Sequence, residues 1–417
     1  MLKGMTVRNA CEALPQGLRL LLEFGRKERS RAGDVLVLPG PLVTETTHPT
    51  ERVLFSAVRD ANPFFHLCEA MWMLAGQQDA RPLDAFVGDF SKRFAEPDGN
   101  MHGAYGFRWR HHFMFDQLHK IVEMLVAEPT TRQAVLAMWD PHELTAPVDF
   151  GNGNVGEELI GGADLTGVWK DRPCNTHVYF RVRYEKGPQH YNSSTADPEW
   201  TRHLDMTVCC RSNDLIWGAH GANAVHFSVL QEYVAARTGC EVGVMYQLSN
   251  NYHAYTAFLD VLKQRAAATG KYFSLNVMLM DNRYEERDSI RSLPKVSSEP
   301  MFNRPDYIDE DVKMFWRWFI EYNQETESPH YKNDWFATTL EMMMMAHYFH
   351  KKGARAEAMH CAREVDAQDW SVAAVEWLQR RNKEKASEKR PDDAVQSAGA
   401  ASEEVPHVAD AASTDGG

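Results

Sequence analysis

The chain has 417 residues, a length that suggests two or three folding units. Hydrophobic residues make up 44% and charged residues 25%, ample material for a core. A net charge of −13 argues against a nucleic-acid surface, although it leaves room for a local basic pocket that takes a small anion. Seven cysteines at irregular spacing do not form a disulfide framework, and the adjacent Cys209 and Cys210 suit neither a redox pair nor a zinc knuckle. A reducing cytoplasm is the expected compartment. The first residues lack signal-peptide anatomy, and no run approaches the roughly 18 apolar residues of a membrane span.

In chain order, a short amphipathic helix is expected around 18–24, where the apolar run is interrupted by Arg19. Residues 35–37, 42–44 and 52–57 read as strands, and 64–76 as a helix ending at Gly76. The spacing of Phe115, Leu118, Ile121 and Leu125 predicts a helix over 114–127. A strand follows at 134–139, and the Gly-rich run 151–162 reads as a loop or lid. Alternation predicts strands at 177–184 and 203–212, and a helix over 226–239 ends on a glycine. This order predicts an α+β fold, with helices packed on a mostly non-local sheet.

Composition shifts after about residue 300. Segments 309–322, 334–352, 355–366 and 368–381 all read as helical, with the methionines of 342–345 as adaptable core filler. Residues 382–417 carry no aromatic, Leu, Ile or Met, so they cannot bury enough apolar surface to offset their ordering entropy. The expected division is a catalytic domain over 1–300, a helical extension over 301–381 and a disordered tail over 382–417.

Six sequence blocks occur in a telling order between about residues 30 and 260. They are FHLCEAMWMLAG (65–76), HGAYGFRWR (102–110), TRQAVLAMWDP (131–141), DRPCN (171–175), RSNDLIWGAHGAN (211–223) and NNYHAY (250–255). Together they resemble the thymidylate synthase and deoxypyrimidine nucleotide hydroxymethylase family. The resemblance implies a thymidylate synthase-like fold, here with a C-terminal helical extension. It also implies a homodimer that acts on a pyrimidine deoxynucleotide monophosphate with methylenetetrahydrofolate as one-carbon donor. Neither direct nucleic-acid nor membrane contact is expected, and no His/Cys cluster has metal spacing.

The chemistry is demanding because C5 of a pyrimidine is a poor nucleophile. A thiolate added at C6 turns the ring into an enolate or enamine and makes C5 reactive. Cys174, following a proline, is the nucleophile that the resemblance implies, and nearby positive charge from Arg211 would stabilise its thiolate. Arginine suits phosphate because its planar fork matches the oxygens. Arg211 with Ser212 is the first candidate, and Arg132, whose family counterpart reaches into the partner's site, is the second. Arg31 is the third, with Arg29 as its competitor. Out of context each would be an ordinary solvated arginine. Synthases commonly carry two successive arginines where this chain has Arg132-Gln133, and a His where it has Asn175.

A carboxyl at Glu69, inside an apolar helix stretch, is costly unless paired or functional. The family uses that position for proton transfer through water. Tyr105 resembles the residue that assists removal of the C5 proton, and His253 with Tyr255 the pair that bonds the deoxyribose 3′-hydroxyl. Asp214 and Gly218 resemble pterin-contacting positions. Asn223 stands where the family reads the base, and a neutral amide fits uracil because it can donate to O4 and accept from N3–H. The plain alternative for Asn223 is a helix N-cap. It lies nine residues after Asp214, one more than the usual synthase spacing.

Two features favour water over hydride as the final reagent. The chain continues into a helical extension where synthases carry a short closing tail, and 84–99 lacks the Trp that synthases place near the transferred carbon. Hydroxymethylation of dUMP is therefore the expected reaction. Methylation to dTMP, a cytosine enzyme and an inactive relative acting as a binding module are the alternatives. Hydroxymethylated pyrimidines suit a virus that modifies its DNA, in which case the compartment is the host cytoplasm.

Overall fold

The computed structural model describes residues 3–142, 144–149, 155–161, 164–165, 169–186, 200–270, 274–285, 295–322 and 325–386. The chain begins with β1 (Lys3–Val7) and α1 (Ala10–Phe24), capped by Asn9, which accepts from the Glu12 amide. A hairpin of β2 (Arg26–Ser30) and β3 (Gly33–Val37) leads to β4 (Leu42–Thr46). Helices α2 (Pro63–Leu74), α3 (Phe90–Phe94), α4 (Tyr105–Arg110) and α5 (Gln117–Ala127) follow, with Asn62 and Asp116 capping α2 and α5. Next come β5 (Val135–Ala137), β6 (Leu144–Asp149), β7 (Val155–Gly161), and the long pair β8 (Asn175–Lys186) and β9 (Trp200–Cys210). The short β10 (Asn213–Asp214) runs into a π-helical segment, Leu215–Ala222, and then α6 (Asn223–Thr238). β11 (Glu241–Ser249), β12 (Tyr252–Tyr255), α7 (Thr256–Ala268) and α8 (Leu275–Leu279) complete the catalytic part. The extension is α9 (Ile308–Glu321), a π turn at Phe336–Glu341, α10 (Met342–Lys352), α11 (Arg355–Arg363) and α12 (Gln368–Ala386).

The frame is a six-stranded mixed sheet in the order β1-β4-β11-β9-β8-β5. Its inner face packs on α6, which is buried along almost its whole length. Along β8 the pleat alternates as expected: Val178, Phe180 and Val182 are buried, whereas Tyr179 and Arg181 face outward. A second sheet, β10-β12-β3-β2, carries the other flank of the site. The fold is α+β.

Helix α2 is buried on nearly every side, as an all-round apolar helix must be. One side meets α6, and the other meets α9, α10 and α12 of the extension. Phe64 stands edge-on to Trp377 at 5.5 Å, and Phe86 stacks on His347 at 4.3 Å. Asp309 of α9 takes ion pairs from Arg110 at 2.7 Å and Arg237 at 2.9 Å. The apolar core is continuous across residue 300, so the extension has no packing boundary there. Met343 and Met344 are fully buried in it, as filler methionines should be.

Three expectations differ from the structure. Residues 52–57 form no strand. They are a mostly buried extended segment whose backbone is served by side chains, with Tyr284 accepting from the Val53 amide at 3.2 Å and the Cys11 thiol donating to the Val53 carbonyl. The Gly-rich run 151–162 is largely the strand β7, paired antiparallel with β6, because glycines sparsely placed in a paired strand interrupt its side chains rather than its ladder. Its residues 151–154 and 162 lie outside the described residues. α12 continues to Ala386, five residues past the expected end, since the Lys, Glu and Ala of 383–386 are good helix formers. The rest of the expected tail, 387–417, lies outside the described residues. Among the described residues no helix is long and apolar enough to cross a membrane.

Candidate active site

Cys174 ends a loop leading into β8 and is partly exposed. All seven cysteines are free. Arg211, one residue past β9, closes on that loop. Its Nε donates to the Pro173 carbonyl at 3.0 Å, its guanidinium NH2 donates to the Arg172 carbonyl at 3.2 Å, and its amide donates to the Cys174 carbonyl at 2.9 Å. The guanidinium also lies 5.4 Å from the centre of the Trp139 ring. Burial raises the Cys174 thiol above its ordinary value. Arg211 pulls it back, and Asp171 and Asp214 push it up. Burial also pushes the Asp171 carboxyl up to about 6.

Tyr105 opens α4, and its hydroxyl accepts from the Asn175 amide at 3.3 Å. Its ring stacks on Phe227 of α6 at 5.9 Å, and burial raises its phenol well above the ordinary value. Asn175 is itself fully buried, donating to the carbonyls of His177 and Cys209. Its place at the β8 start is therefore structural as well as adjacent to the nucleophile.

β10 and β12 pair in parallel, which places Asp214 beside His253. Asp214 accepts from the amides of Ile216 at 2.8 Å and Trp217 at 2.5 Å through Oδ1, while its buried Oδ2 has no hydrogen-bond partner among the described residues. His253 and Tyr255 sit on one side of β12, ring against ring at 5.5 Å, as alternate residues of a strand must. Arg31 occupies the β2–β3 turn, near enough for its charge to act on the Tyr255 phenol, as does the Cys174 thiol. Ser212 is half-buried between Arg211 and β10.

The nine-residue step from Asp214 to Asn223 runs through the π-helical segment, which kinks at His220 and Gly221. A Cβ on Gly221 would lie 2.3 Å from the Ile216 carbonyl oxygen, so only glycine allows this turn. Asn223 does not cap α6, where the N-cap residue is Ala222 with no side-chain bond. Instead its Nδ2 donates to Asn213 Oδ1 at 3.2 Å. Gly218 lies against both amides. Glu69 of α2 is buried and faces His226 of α6.

Cys174, Tyr105, Arg211, Ser212, Asp214, Gly218, Asn223, His253, Tyr255 and Arg31 thus occupy neighbouring elements around one loop. Arg132 does not join them. It is exposed just before the edge strand β5. His112 is half-buried and sits 2.8 Å from Asp140. Among the described residues no three His, Cys, Asp or Glu side chains converge as a metal would require.

The thymidylate synthase family model matches residues 57–288, more than half of the chain. A deoxyuridylate hydroxymethyltransferase of Pseudomonas phage M6 is 36% identical over 91% of this chain and 95% of its own length. This chain belongs to the thymidylate synthase family. A deoxyuridylate hydroxymethyltransferase of Bacillus phage SP01 is 33% identical over 54% of each chain, and a thymidylate synthase of Candida albicans is 22% identical over 54% of this chain and 71% of its own. Arg31 and the helical extension lie outside the family match, but the M6 alignment is long enough that it must enter the extension.

Sequence reasoning missed several neighbours of the thymidylate synthase-like site. Asp171 stood in the DRPCN block and could have been noticed as a carboxyl three residues before the nucleophile. Arg59 is buried, with its guanidinium 4.7 Å from the Trp217 ring and bonded to the Ile216 carbonyl, and its burial lowers its pKa to about 10. Asn213 stood in the RSNDLIWGAHGAN block beside Asp214, whereas His226 and Gln247 carried no signal, because their roles come from packing between distant segments.

Proposed function

We propose that this protein transfers a one-carbon unit from methylenetetrahydrofolate to C5 of dUMP and that the product is 5-hydroxymethyl-dUMP. The clasp of Arg211 on the Pro173–Cys174 loop, beside Tyr105, carries the reading. It holds a thiol and a cation together at the mouth of a loop, as C6 addition needs. The M6 relative, matched over almost its full length, supports uracil and hydroxymethylation over the alternatives.

In this reading the Cys174 thiolate adds to C6, and the electrons move onto O4 and activate C5. Arg211 and Ser212 receive the phosphate, with Arg31 beside Tyr255. Releasing the Arg211 bonds to the loop carbonyls would turn part of its fork toward phosphate. His253 and Tyr255 bind the 3′-hydroxyl, and Tyr105 assists loss of the C5 proton. Methylenetetrahydrofolate supplies the carbon. The buried Oδ2 of Asp214, without a partner among the described residues, fits a ring N–H of that donor, since a buried acceptor calls for one. Loss of the C5 proton expels tetrahydrofolate and leaves an exocyclic methylene on C5; water then adds to it, an enolate forms, and its collapse breaks the C6–S bond and expels Cys174.

Arg132 fits a site shared between two subunits. The outward face of the main sheet exposes Val135 and Tyr179, directly opposite each other on β5 and β8, an apolar surface that suits a second copy of this chain. Incubation with dUMP and methylenetetrahydrofolate should yield 5-hydroxymethyl-dUMP and tetrahydrofolate in equal amounts. Stoichiometric dihydrofolate with dTMP would replace this reading with methylation, and turnover of dCMP in preference to dUMP would replace uracil with cytosine.

A further inference from the structure

A chain of buried side-chain amides leads from the main-sheet strand β11 to Asn223. Gln247 Nε2 donates to the backbone carbonyl of Ala219, in the π-helical segment, at 3.3 Å. Asn213 Nδ2 donates to Gln247 Oε1 at 3.2 Å and to Ser249 Oγ at 3.0 Å. Asn223 Nδ2 donates to Asn213 Oδ1 at 3.2 Å. Asn213, Gln247, Ser249 and Asn223 are all buried, so no bulk water can replace a lost bond.

The direction of this chain is forced. A carbonyl can only accept, so Gln247 must turn its NH2 toward Ala219 and its oxygen toward Asn213. Asn213 must then present its NH2 to Gln247, which leaves its oxygen for Asn223. Asn223 must present an N–H to Asn213. What remains of the Asn223 amide is its Oδ1 and its second N–H. That pair matches uracil, whose N3–H donates and whose O4 accepts. Cytosine needs the reverse pair, because its N3 accepts and its 4-amine donates. Turning Asn223 over would set its oxygen against Asn213 Oδ1 with no hydrogen between them. Gly218 keeps the relay in place, since a Cβ there would lie 2.8 Å from Asn213 Oδ1.

We propose that Asn213 and Gln247 are specificity-determining positioning residues: they lock Asn223 in the orientation that accepts uracil and rejects cytosine. This rests on the reading that Asn223 faces the base. It also gives the π-helical segment a purpose, because the segment supplies the Ala219 carbonyl that sets the polarity of the whole relay.

The test is the ratio of kcat/KM for dUMP to that for dCMP, which a general loss of active protein does not change. Asn213→Ala frees the Asn223 amide to turn, and the ratio should fall about tenfold or more, because one unpaired buried polar group no longer opposes cytosine. Gln247→Met, similar in volume, removes the anchor and should lower the ratio in the same direction. Asn213→Asp keeps the acceptor for Asn223 Nδ2 and should hold the ratio within about threefold, less than one such bond contributes. Asn223→Asp serves as the reference for the base reader. If Asn223→Asp changes the ratio while Asn213→Ala and Gln247→Met leave it at the wild-type value, the relay is overturned and the base-reading role of Asn223 survives. If Asn223→Asp itself leaves the ratio unchanged, the underlying reading of Asn223 fails and the relay fails with it. Should Asn213→Ala yield no folded protein, the Gln247→Met ratio decides alone.

Discussion

Nε2 of His226 lies 3.0 Å from Oε2 of Glu69, across the packed helices α6 and α2, yet the two atoms are not aligned as a hydrogen bond. Neither His226 nitrogen nor Glu69 Oε2 has a hydrogen-bond partner among the described residues, and both side chains are buried. Such a pair has unused donor and acceptor capacity for a water bound beside it. His226→Phe is expected to uncouple the reaction rather than slow every step. Tritium release from C5-labelled dUMP should exceed formation of 5-hydroxymethyl-dUMP by about tenfold or more, the scale of a modest acid–base contribution. The covalent adduct of 5-fluoro-dUMP on Cys174, which forms before water adds, should persist. Equal losses in tritium release and product would show that His226 only supports the fold.

The Cys174 thiol gives a second prediction with a definite sign. Burial holds it above its ordinary value, so the reactive thiolate accumulates as pH rises, and alkylation of Cys174 by iodoacetamide should speed up through the alkaline range. Arg211 pulls the thiol downward, so Arg211→Ala should move that profile to higher pH. At a fixed neutral pH the variant should react roughly threefold more slowly or worse. Peptide mass spectrometry separates Cys174 from the other six cysteines. An Arg211→Ala profile shifted to lower pH would contradict the electrostatic role.

The proposed sharing of sites between subunits makes a third prediction. Arg132→Ala and Cys174→Ala subunits should each be nearly inactive alone. Mixed and allowed to exchange, they should regain about a quarter of wild-type activity, because half the dimers are hybrids and each hybrid has one intact site of two. A wild-type enzyme that sediments as a fully active monomer would rule the arrangement out.

The extension supplies a fourth. Arg380 and Arg381, in the last third of α12, grip Asp60 at 3.0 and 2.7 Å, and Asp60 itself sits at a positive φ of 52° next to Arg59. Replacing both arginines with alanine strands a largely buried carboxylate and should cost about 3 kcal/mol, at the low end for breaking such a pair. Burial opposes ionisation of Asp60, but Arg381 and Arg380 outweigh it and hold the carboxyl below its ordinary value. The stabilisation is therefore full at neutral pH and fades as pH falls through that lowered value, so the gap between wild type and variant should narrow on acidification. Denaturant melts at a series of pH values measure it. Removing residues 387–417 instead should leave turnover within about twofold, or about 0.4 kcal/mol in barrier. A larger loss would give those residues a part in the site.

Much of this protein was legible without coordinates because its chemistry is written in short local blocks. Cys174 after a proline, Arg211 next to Ser212, and the alternate His253 and Tyr255 are each fixed by a few adjacent residues, and the helical and strand periods of α5, α6, β8 and β9 follow from local apolar spacing. What the sequence left open depended on distance. The spacing before Asn223 is a bare count in the chain, and only the structure shows that the stretch is π-helical and kinks at Gly221. The direction of the Asn223 amide is set by Gln247, in a strand that pairs with β9 through non-local hydrogen bonds. The pairing of Glu69 with His226 exists because α2 and α6 pack together, and the grip on Asp60 exists because α12 returns across α2. Local sequence determines which groups are present and which element carries each one. Which way a buried polar group points is decided by the bonds that tertiary packing brings within about 3 Å, because a buried donor or acceptor must find its partner there or lose roughly 1–3 kcal/mol.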